Sequence, residues 1–194
     1  MTSKIKVNIL ADGADNSIIT SDGAGSFTAS SSLASSVQSV GGIQNTPAFF
    51  AYRTASDQSI TQDTATKIQF QTELYDTNLA YDTSNYRFTV PAGQAGKYYL
   101  HSHAWLRGTD VSMMNYFMFF FYKNGNAFWC DHTNFTNNDI RSFGANISAT
   151  VDLSVGDYIE VYARININSG NPQIGQAESG APTTWFSGYK LIGA

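Results

Sequence analysis

The stretch NYRFTVPAGQAGKYYL, residues 85–100, decides the fold, because two alternating segments flank a short connection that contains glycine and proline. Side chains alternate between the two faces of a strand. On that basis the residues that share one face of the first segment are Tyr86, Phe88 and Val90. Pro91 has no amide hydrogen to donate to a sheet, and Gly93 can adopt a positive φ in the bend. The stretch therefore predicts two strands joined by a compact connection with a bend at Gly93.

The second of these strands continues as KYYLHSHAWLR, residues 97–107, and its two faces differ in character. The face expected in the core carries Tyr98, Leu100, Ser102, Ala104 and Leu106. The opposite face carries Lys97, Tyr99, His101, His103, Trp105 and Arg107. Tyrosine, tryptophan and two histidines together are not typical of a solvent-facing surface. We expect this face to contact a second sheet edge, another subunit or a ligand.

Composition limits the classes of protein that fit. The 194 residues allow one domain of about 150 residues with a shorter appendage. Only 13% of the residues are charged, the net charge is −4, and no run of Lys or Arg points to nucleic acid or an anionic membrane. The single cysteine, Cys130, excludes an internal disulfide framework. The N-terminal sequence has no apolar segment of the secretory type, and no apolar run is long enough to insert into a membrane.

From Pro47 onward the chain consists of short aromatic and β-branched runs separated by turn residues. The predicted strands are residues 48–54, 66–75, 85–90, 96–107, 113–123, 126–132, 144–153, 157–167 and 183–192. Asn124-Gly125 marks a tight hairpin, and no segment has a sustained helical period. Nine or ten short strands at this spacing predict an all-β sandwich or barrel.

Residues 1–46 differ in composition from the rest, since they are rich in Ser, Ala and Gly. Two interpretations remain open. The segment is either a flexible leader or an extended attachment segment that orders against partner chains through pieces such as KIKVNIL and NSIIT. Residues 30–40 could form one or two helical turns, but such a short helix is marginal alone.

Six blocks of the chain, in order, resemble the globular head of complement component C1q, which shares its fold with tumour necrosis factor. They are PAFFAYRT, KIQFQTELYDT, AYDTSNYRFTVPAGQAGKYYLHSHA, YKNG, SATVDLSVGDYIEVYA and WFSGYKLIGA. The matching positions are Phe49, Phe70, Tyr81, Asp82, Phe88, Thr89, Pro91, Gly96, Tyr98, Tyr99, His103, Asn124, Gly125, Leu153, Gly156, Asp157, Phe186, Ser187, Gly188, Tyr189 and Leu191. The resemblance covers residues 47–194.

The resemblance implies a ten-stranded jelly-roll β-sandwich that assembles as a homotrimer. A threefold interface joins two different patches of the same subunit. We expect aromatic strand faces to form these patches. The interface candidates are Tyr99, His101, His103, Trp105, Tyr116, Met118 and Phe120.

The chain departs from the animal members of the family, since it has no signal peptide, collagen stalk or cysteine framework. Its leader is similar to the attachment segments of bacteriophage fibre and capsid-appendage proteins. We therefore expect a virion protein, assembled in the host cytoplasm as a capsid decoration or tail-fibre component, that serves adhesion to the host surface or stabilisation of the particle. Its expected partners are itself, other virion proteins through the N-terminal segment, and a host surface glycan or protein. The alternative is a non-viral recognition or signalling trimer of the same fold.

Candidate ligand-binding residues lie in two loops, because rigid sandwiches usually bind through loops. They are Asn134, Asn137, Asn138, Gln173 and Gln176. Trp105, Trp129 and Trp185 could each serve as a platform for a sugar ring, although most tryptophans of a sandwich lie in the core or an interface.

Metal binding and catalysis are not expected. His101 and His103 have the spacing of a zinc pair if a third ligand comes from the segment 130–132, but a histidine packed among aromatic side chains is the commoner outcome. Calcium stays open at aspartates near strand ends, namely Asp76, Asp82, Asp131 and Asp139. No catalytic motif of a hydrolase, nucleotide-binding protein or metalloprotease occurs, so the chain is not predicted to be an enzyme.

Overall fold

The computed structural model of the chain describes residues 9–24, 26–30, 45–109, 114–135, 140–178 and 180–192. The chain divides into two compact units, Met1–Gln44 and Asn45–Ala194, here called the N-terminal unit and the head. The strands of the N-terminal unit are β1 (Ile9–Ala11), β2 (Ser17–Ser21) and β3 (Phe27–Ala29). Those of the head are β4 (Ala48–Tyr52), β5 (Gln58–Ser59), β6 (Thr66–Lys67), β7 (Thr72–Asp76), β8 (Tyr81–Asp82), β9 (Arg87–Thr89), β10 (Gly96–Gly108), β11 (Met114–Lys123), β12 (Asn126–Asn134), β13 (Ser142–Leu153), β14 (Tyr158–Ile167), β15 (Pro172–Ile174) and β16 (Trp185–Lys190).

The head is a sandwich of two antiparallel sheets. In the first sheet the strand order is β5-β15-β10-β16-β4-β7. β15 and β16 pair with successive parts of one edge of β10, and β13 pairs with its opposite edge. The second sheet has the order β12-β11-β14-β9-β8, and β6 also pairs with β14. The all-β prediction is confirmed. One predicted strand, residues 66–75, is divided between β6 in the second sheet and β7 in the first.

Aromatic side chains from both sheets form the core of the sandwich. Phe49 of the first sheet stacks on Phe88 of the second, with their ring centroids 4.8 Å apart. The ring centroid of Phe186 lies 4.8 Å from that of Phe49 and 5.8 Å from that of Phe121. All four of these phenylalanines have no exposed surface. They occupy positions that alternation along each strand sends inward.

β9 and β10 belong to different sheets, and the connection between them bends at Gly93 as predicted. One residue of the stretch departs from the prediction. Gly93 has φ +74°, a conformation that favours glycine, and Phe88 and Val90 face the core as predicted. The prediction for Tyr86 was wrong: it lies before β9 with φ +52° and is only half-buried. The alternation begins one residue later because residues 83–86 form a turn, in which Asp82 Oδ1 accepts hydrogen bonds from the amides of Ser84 and Asn85.

Asp157 joins two turns that lie far apart in the sequence. Its carboxylate accepts hydrogen bonds from Lys123 Nζ at 2.8 Å, from Asn124 Nδ2 at 2.7 Å and from the amide of Ser154 at 2.8 Å. These bonds hold the pKa of Asp157 down at about 2, with the bond from Lys123 as the largest cause. The Asn-Gly hairpin between β11 and β12 is thereby fixed to the turn that precedes β14.

The N-terminal unit contains a small antiparallel sheet in the order β1-β2-β3. Directly paired residues share a face, so Leu10, Ile19, Phe27 and Ala29 lie on the same side. Phe27 is 73% exposed and Leu10 is 52% exposed. Sequence analysis predicted no strands here, and its helical segment at residues 30–40 lies almost wholly outside the described residues.

Within the part of the chain that the structure describes, no helix is long and apolar enough to cross a membrane.

Candidate functional site

A continuous aromatic surface covers the outer side of the first sheet. We call it the aromatic face; its residues are Phe50, Tyr99, His101, His103, Trp105, Trp185 and Tyr189. They come from three adjacent strands, since β16 pairs with both β10 and β4. Each lies at a position whose neighbours along the strand point into the core. Alternation therefore sends aromatic side chains to both sides of this sheet, which explains why its outer side is not an ordinary polar surface.

Trp185 is at the centre of the aromatic face. Its ring stacks on Phe50 with the centroids 5.2 Å apart, and His101 contacts it edge-on at 4.7 Å. Burial lowers the pKa of His101 below its usual value of 6.5, while a hydrogen bond with Asn146 acts in the opposite direction. Burial thus favours the neutral imidazole of His101, even though the residue is only half-buried in a single chain.

A cleft of about 400 Å³ lies at one end of the aromatic face, lined by His103, Trp105, Glu178 and Thr183. Its two sides come from different parts of the chain, because His103 and Trp105 belong to β10 whereas the other two residues belong to the loop before β16. In that loop Glu178 and Ala181 exchange two backbone hydrogen bonds of 2.9 Å each. The loop is therefore a closed turn beside the cleft.

Hydrogen bonds fix the loop to β10. The amide of Gly175 donates to the carbonyl of Trp105 at 2.7 Å, and the amide of Trp105 donates to Thr184 Oγ1 at 3.1 Å. His103 Nδ1 lies 2.8 Å from the carbonyl oxygen of Thr183. Gly175 lies so close to the indole that a Cβ atom there would be 2.3 Å from Trp105 Cε3. Only glycine fits at this position, because any side chain would overlap the ring.

The indole of Trp105 is also held by charged neighbours. The guanidinium of Arg107 lies 4.7 Å from the centroid of the ring, and Arg107 Nη1 is 3.1 Å from Asp57 Oδ2. The other oxygen of Asp57 accepts a hydrogen bond from the amide of Gln176 at 3.1 Å. Asp57 therefore connects the cation above the indole with the loop that borders the cleft.

Comparison with solved structures shows which fold this is. The globular domain of zebrafish complement 1qA protein matches with 18% identity and a TM-score of 0.50, over 75% of this chain and 98% of that one. Eiger TNF from S. frugiperda matches with 11% identity and a TM-score of 0.52, over 76% and 93%. Murine APRIL at pH 5.0 matches with 15% identity and a TM-score of 0.53, over 74% and 98%. The head has the C1q/TNF jelly-roll fold. At these identities the likeness concerns the fold alone.

Two other comparisons found nothing: no family model matches the chain, and no curated protein matches it.

The jelly roll separates the seven interface candidates into two groups. Tyr99, His101, His103 and Trp105 lie on the aromatic face of the first sheet. The remaining candidates, Tyr116, Met118 and Phe120, lie on β11 in the second sheet, where they alternate with buried phenylalanines and point away from the core. The two groups therefore occupy opposite outer sides of the jelly roll.

The loop candidates for ligand binding are also distributed over different parts of the jelly roll. Asn134 is the exposed last residue of β12, whereas Asn137 and Asn138 lie outside the described residues. Gln173 does not lie in a loop as predicted, because β15 pairs with both β10 and β5 at this position. Gln176 is exposed, and its carbonyl accepts a hydrogen bond from Thr183 Oγ1 beside the cleft.

Sequence analysis missed two residues of the cleft, Glu178 and Thr183. Glu178 lies between the predicted strands 157–167 and 183–192, and Thr183 was predicted to begin the second of them, although β16 begins at Trp185. No local pattern indicated which of its side chains would meet β10.

The structure does not assemble the zinc ligands that the sequence left open. His101 and His103 belong to the first sheet, whereas the segment 130–132 belongs to β12 in the second. Among the described residues, no three side chains of His, Cys, Asp or Glu come close enough to hold a metal ion.

The aspartates considered for calcium hold turns or lie elsewhere. Asp76 Oδ2 accepts a hydrogen bond from the amide of Tyr81 at 2.8 Å. The carboxylate of Asp82 accepts hydrogen bonds from Asn85 and Ser84, and these bonds lower its pKa, with the side-chain bond from Asn85 as the largest cause. Asp131 lies on β12, and Asp139 is outside the described residues.

Proposed function

We propose that the head is a homotrimeric binding module that belongs to a virion, as a capsid decoration or a tail-fibre component. The observation that carries the proposal is the aromatic face on the outer side of the first sheet. Six of its seven side chains are half-buried in a single chain, and Tyr189 is exposed. A surface of this kind is typical of a protein–protein interface.

The positions of the interface candidates support a threefold assembly. A cyclic trimer joins two different patches of the same subunit, and the ring closes after three contacts. The aromatic face and the outward side chains of β11 are two such patches, because they lie on opposite outer sides of the sandwich. A twofold dimer would instead need a single self-complementary patch.

The N-terminal unit supports a role in attachment to a larger particle. Its three-stranded sheet has Leu10, Ile19 and Phe27 on one side, and an apolar side of a sheet is normally buried against another element. Other virion proteins are the partners that we propose for this side. Three heads on one anchor, repeated over a particle, would convert weak contacts with a host glycan or protein into strong attachment.

The oligomeric state tests the first part of the proposal. Light scattering of the full chain during gel filtration should give three times the chain mass of 21.2 kDa. The variant His101→Asp places a charge in the aromatic face and should dissociate the trimer. Val155→Asp is the matched control, because Val155 is an exposed turn residue that is 52% accessible. A monomeric wild-type protein, or a trimer that tolerates His101→Asp, would contradict the proposal.

The location of the protein tests the second part. Gold-labelled antibodies against the head should mark the outside of viral particles released by cells that express the gene in its natural context. Label on cell surfaces or on secreted protein without particles would instead favour the alternative, a recognition or signalling trimer. The fold favours neither location, so this experiment decides between them.

A further inference from the structure

We propose that the cleft beside Trp105 binds a neutral sugar ring. The inference deepens the proposed binding function, because it names the class of ligand and the residues that hold it.

The polar groups of the cleft act mainly as hydrogen-bond acceptors. A carbonyl oxygen only accepts, so the contact between His103 Nδ1 and the carbonyl of Thr183 makes Nδ1 the donor. In the neutral imidazole Nε2 is then an acceptor. Thr183 Oγ1 donates its hydrogen to the carbonyl of Gln176, which leaves the lone pairs of the hydroxyl free to accept. Thr183 Oγ1 and the carboxylate of Glu178 therefore favour a ligand that presents hydrogen-bond donors, whereas His103 Nε2 lies beside Gly144 of β13.

The apolar wall of the cleft is rigid. Gly175 lies against the indole of Trp105, and Arg107 lies above it, so the ring is held in place before a ligand arrives. A pre-organised wall reduces the entropy that binding must overcome. A pyranose ring fits both requirements, because its C–H groups form an apolar patch and its hydroxyls surround that patch with donors.

Charge distinguishes a neutral sugar from other ligands that donate hydrogen bonds. Glu178 is exposed and its carboxylate would repel an acidic sugar. An organic cation would in addition meet a like charge, because the guanidinium of Arg107 lies 4.7 Å from the centroid of the indole. The charge of Arg107 is balanced by Asp57 at 3.1 Å, so it does not attract an anion strongly.

Size and position also suit this ligand. The volume of about 400 Å³ lies within the usual range for small-molecule sites, about 300–1,000 Å³. Tyr99 and Trp105 are six residues apart on β10, which corresponds to about 20 Å along a strand. A trimer can therefore bury the end of the aromatic face near Tyr99 and His101 while the cleft stays open at the other end. The inference assigns His103 and Trp105 to the ligand rather than to the interface.

Saturation-transfer NMR on the full chain tests the inference, with methyl glycosides of glucose, galactose, mannose and N-acetylglucosamine as probes. At least one glycoside should bind with a Kd in the millimolar range, as expected for a single sugar ring in a small site. Trp105→Ala should reduce affinity at least tenfold, and Glu178→Gln at least threefold. The matched control Glu73→Gln changes an exposed residue of the same type as Glu178 elsewhere on the head and should leave binding unchanged.

Several results would overturn the inference. One is that no saturation passes from the folded wild-type protein to any of the four glycosides at about 10 mM ligand. Another is equal binding by the wild type and Glu178→Gln. A third is that a glucuronide or tetramethylammonium binds more strongly than the neutral glycosides. Glu178 is exposed, so its variant remains informative even if Trp105→Ala does not fold. The mass of every variant is measured in parallel. A monomer that binds sugar would contradict only the trimer, and a trimer that binds none would contradict only the site.

Discussion

Replacing Gly188 by alanine tests how tightly the centre of the first sheet is packed. Gly188 lies in β16, where it pairs with Leu100 on one side and Phe49 on the other. A Cβ atom at this position would be 2.8 Å from Leu100 Cδ2 and 2.9 Å from Phe49 Cε1. It would also be 3.1 Å from the carbonyl oxygen of Tyr99, which is backbone. The glycine of the WFSGY block is therefore explained by close packing.

The expected loss of stability follows from how little these neighbours can move. Leu100 and Phe49 are fully buried, and the ring of Phe49 is held by contacts at 4.8 Å with Phe88 and Phe186. Adding a methyl group to such a core costs about 1–3 kcal/mol in free energy of unfolding. In a domain of this size each kcal/mol lowers the Tm by about 2–4 °C. We therefore expect Gly188→Ala to lower the Tm by about 2–12 °C.

Scanning calorimetry at a fixed protein concentration measures this effect, since an oligomer's Tm depends on concentration. Gly93→Ala is the control for backbone strain, because Gly93 has φ +74° and no atom within 4 Å of the added Cβ. Adding Leu100→Ala to Gly188→Ala should give a smaller loss than the sum of the two single variants, since each change relieves the other. A Tm within about 1 °C of wild type for Gly188→Ala, or strict additivity in the double variant, would refute the packing argument.

Three further predictions concern charge and burial. Asp157→Asn should remove part of the acid sensitivity of the head. The folded pKa of Asp157 is about 2, so the stability that its carboxylate contributes is present at neutral pH and is lost as the pH falls from about 4 towards 2. Identical acid unfolding curves for the variant and the wild type would contradict this. His101 has a folded pKa below 6.5, so the stability that its neutral imidazole contributes is present above that pH and decreases as the pH falls. Light scattering at pH 7.5 and at pH 5 should therefore show that acid dissociates the trimer, and His101→Gln should weaken this effect. A trimer unaffected by acid would count against the placement of His101 in the interface. Phe186→Ala should cost about 3–5 kcal/mol in urea unfolding, because it removes a fully buried ring at the centre of the core, and a cost below about 1 kcal/mol would mean that the core is not centred there.

The sequence predicted most of the head because the relevant signals are local. Alternation placed Tyr98, Leu100 and Ser102 inside, and each has no exposed surface. Asn124-Gly125 and Gly93 marked turns through backbone conformations that their own residue types allow, and the structure has positive φ at all three. The short strands β5, β8 and β15 were missed, since strands of two or three residues leave too little periodicity to recognise.

The N-terminal unit shows a signal that was present but not used. The two turns of its sheet begin at Asp12 and Asp22, each followed directly by glycine. Asp12 Oδ1 accepts hydrogen bonds from the amides of Ala14 and Asn16. Asp22 Oδ1 accepts from Ala24 and Ser26 in the same way. An Asp-Gly pair between short apolar runs is a hairpin signal, which the low aromatic content of the segment obscured.

The sequence by itself determined most of the longer strands of the head, the turns at Gly93 and Asn124-Gly125, and the inward face of β10, since each depends on the preferences of a few neighbouring residues. Only the tertiary structure decided which strands pair and therefore which outward side chains meet. His103 and Trp105 form a cleft with Glu178 and Thr183 because β16 returns beside β10 and the loop before it contacts the end of that strand. Such pairing depends on how the two sheets bury their apolar faces together, and no local pattern records that choice.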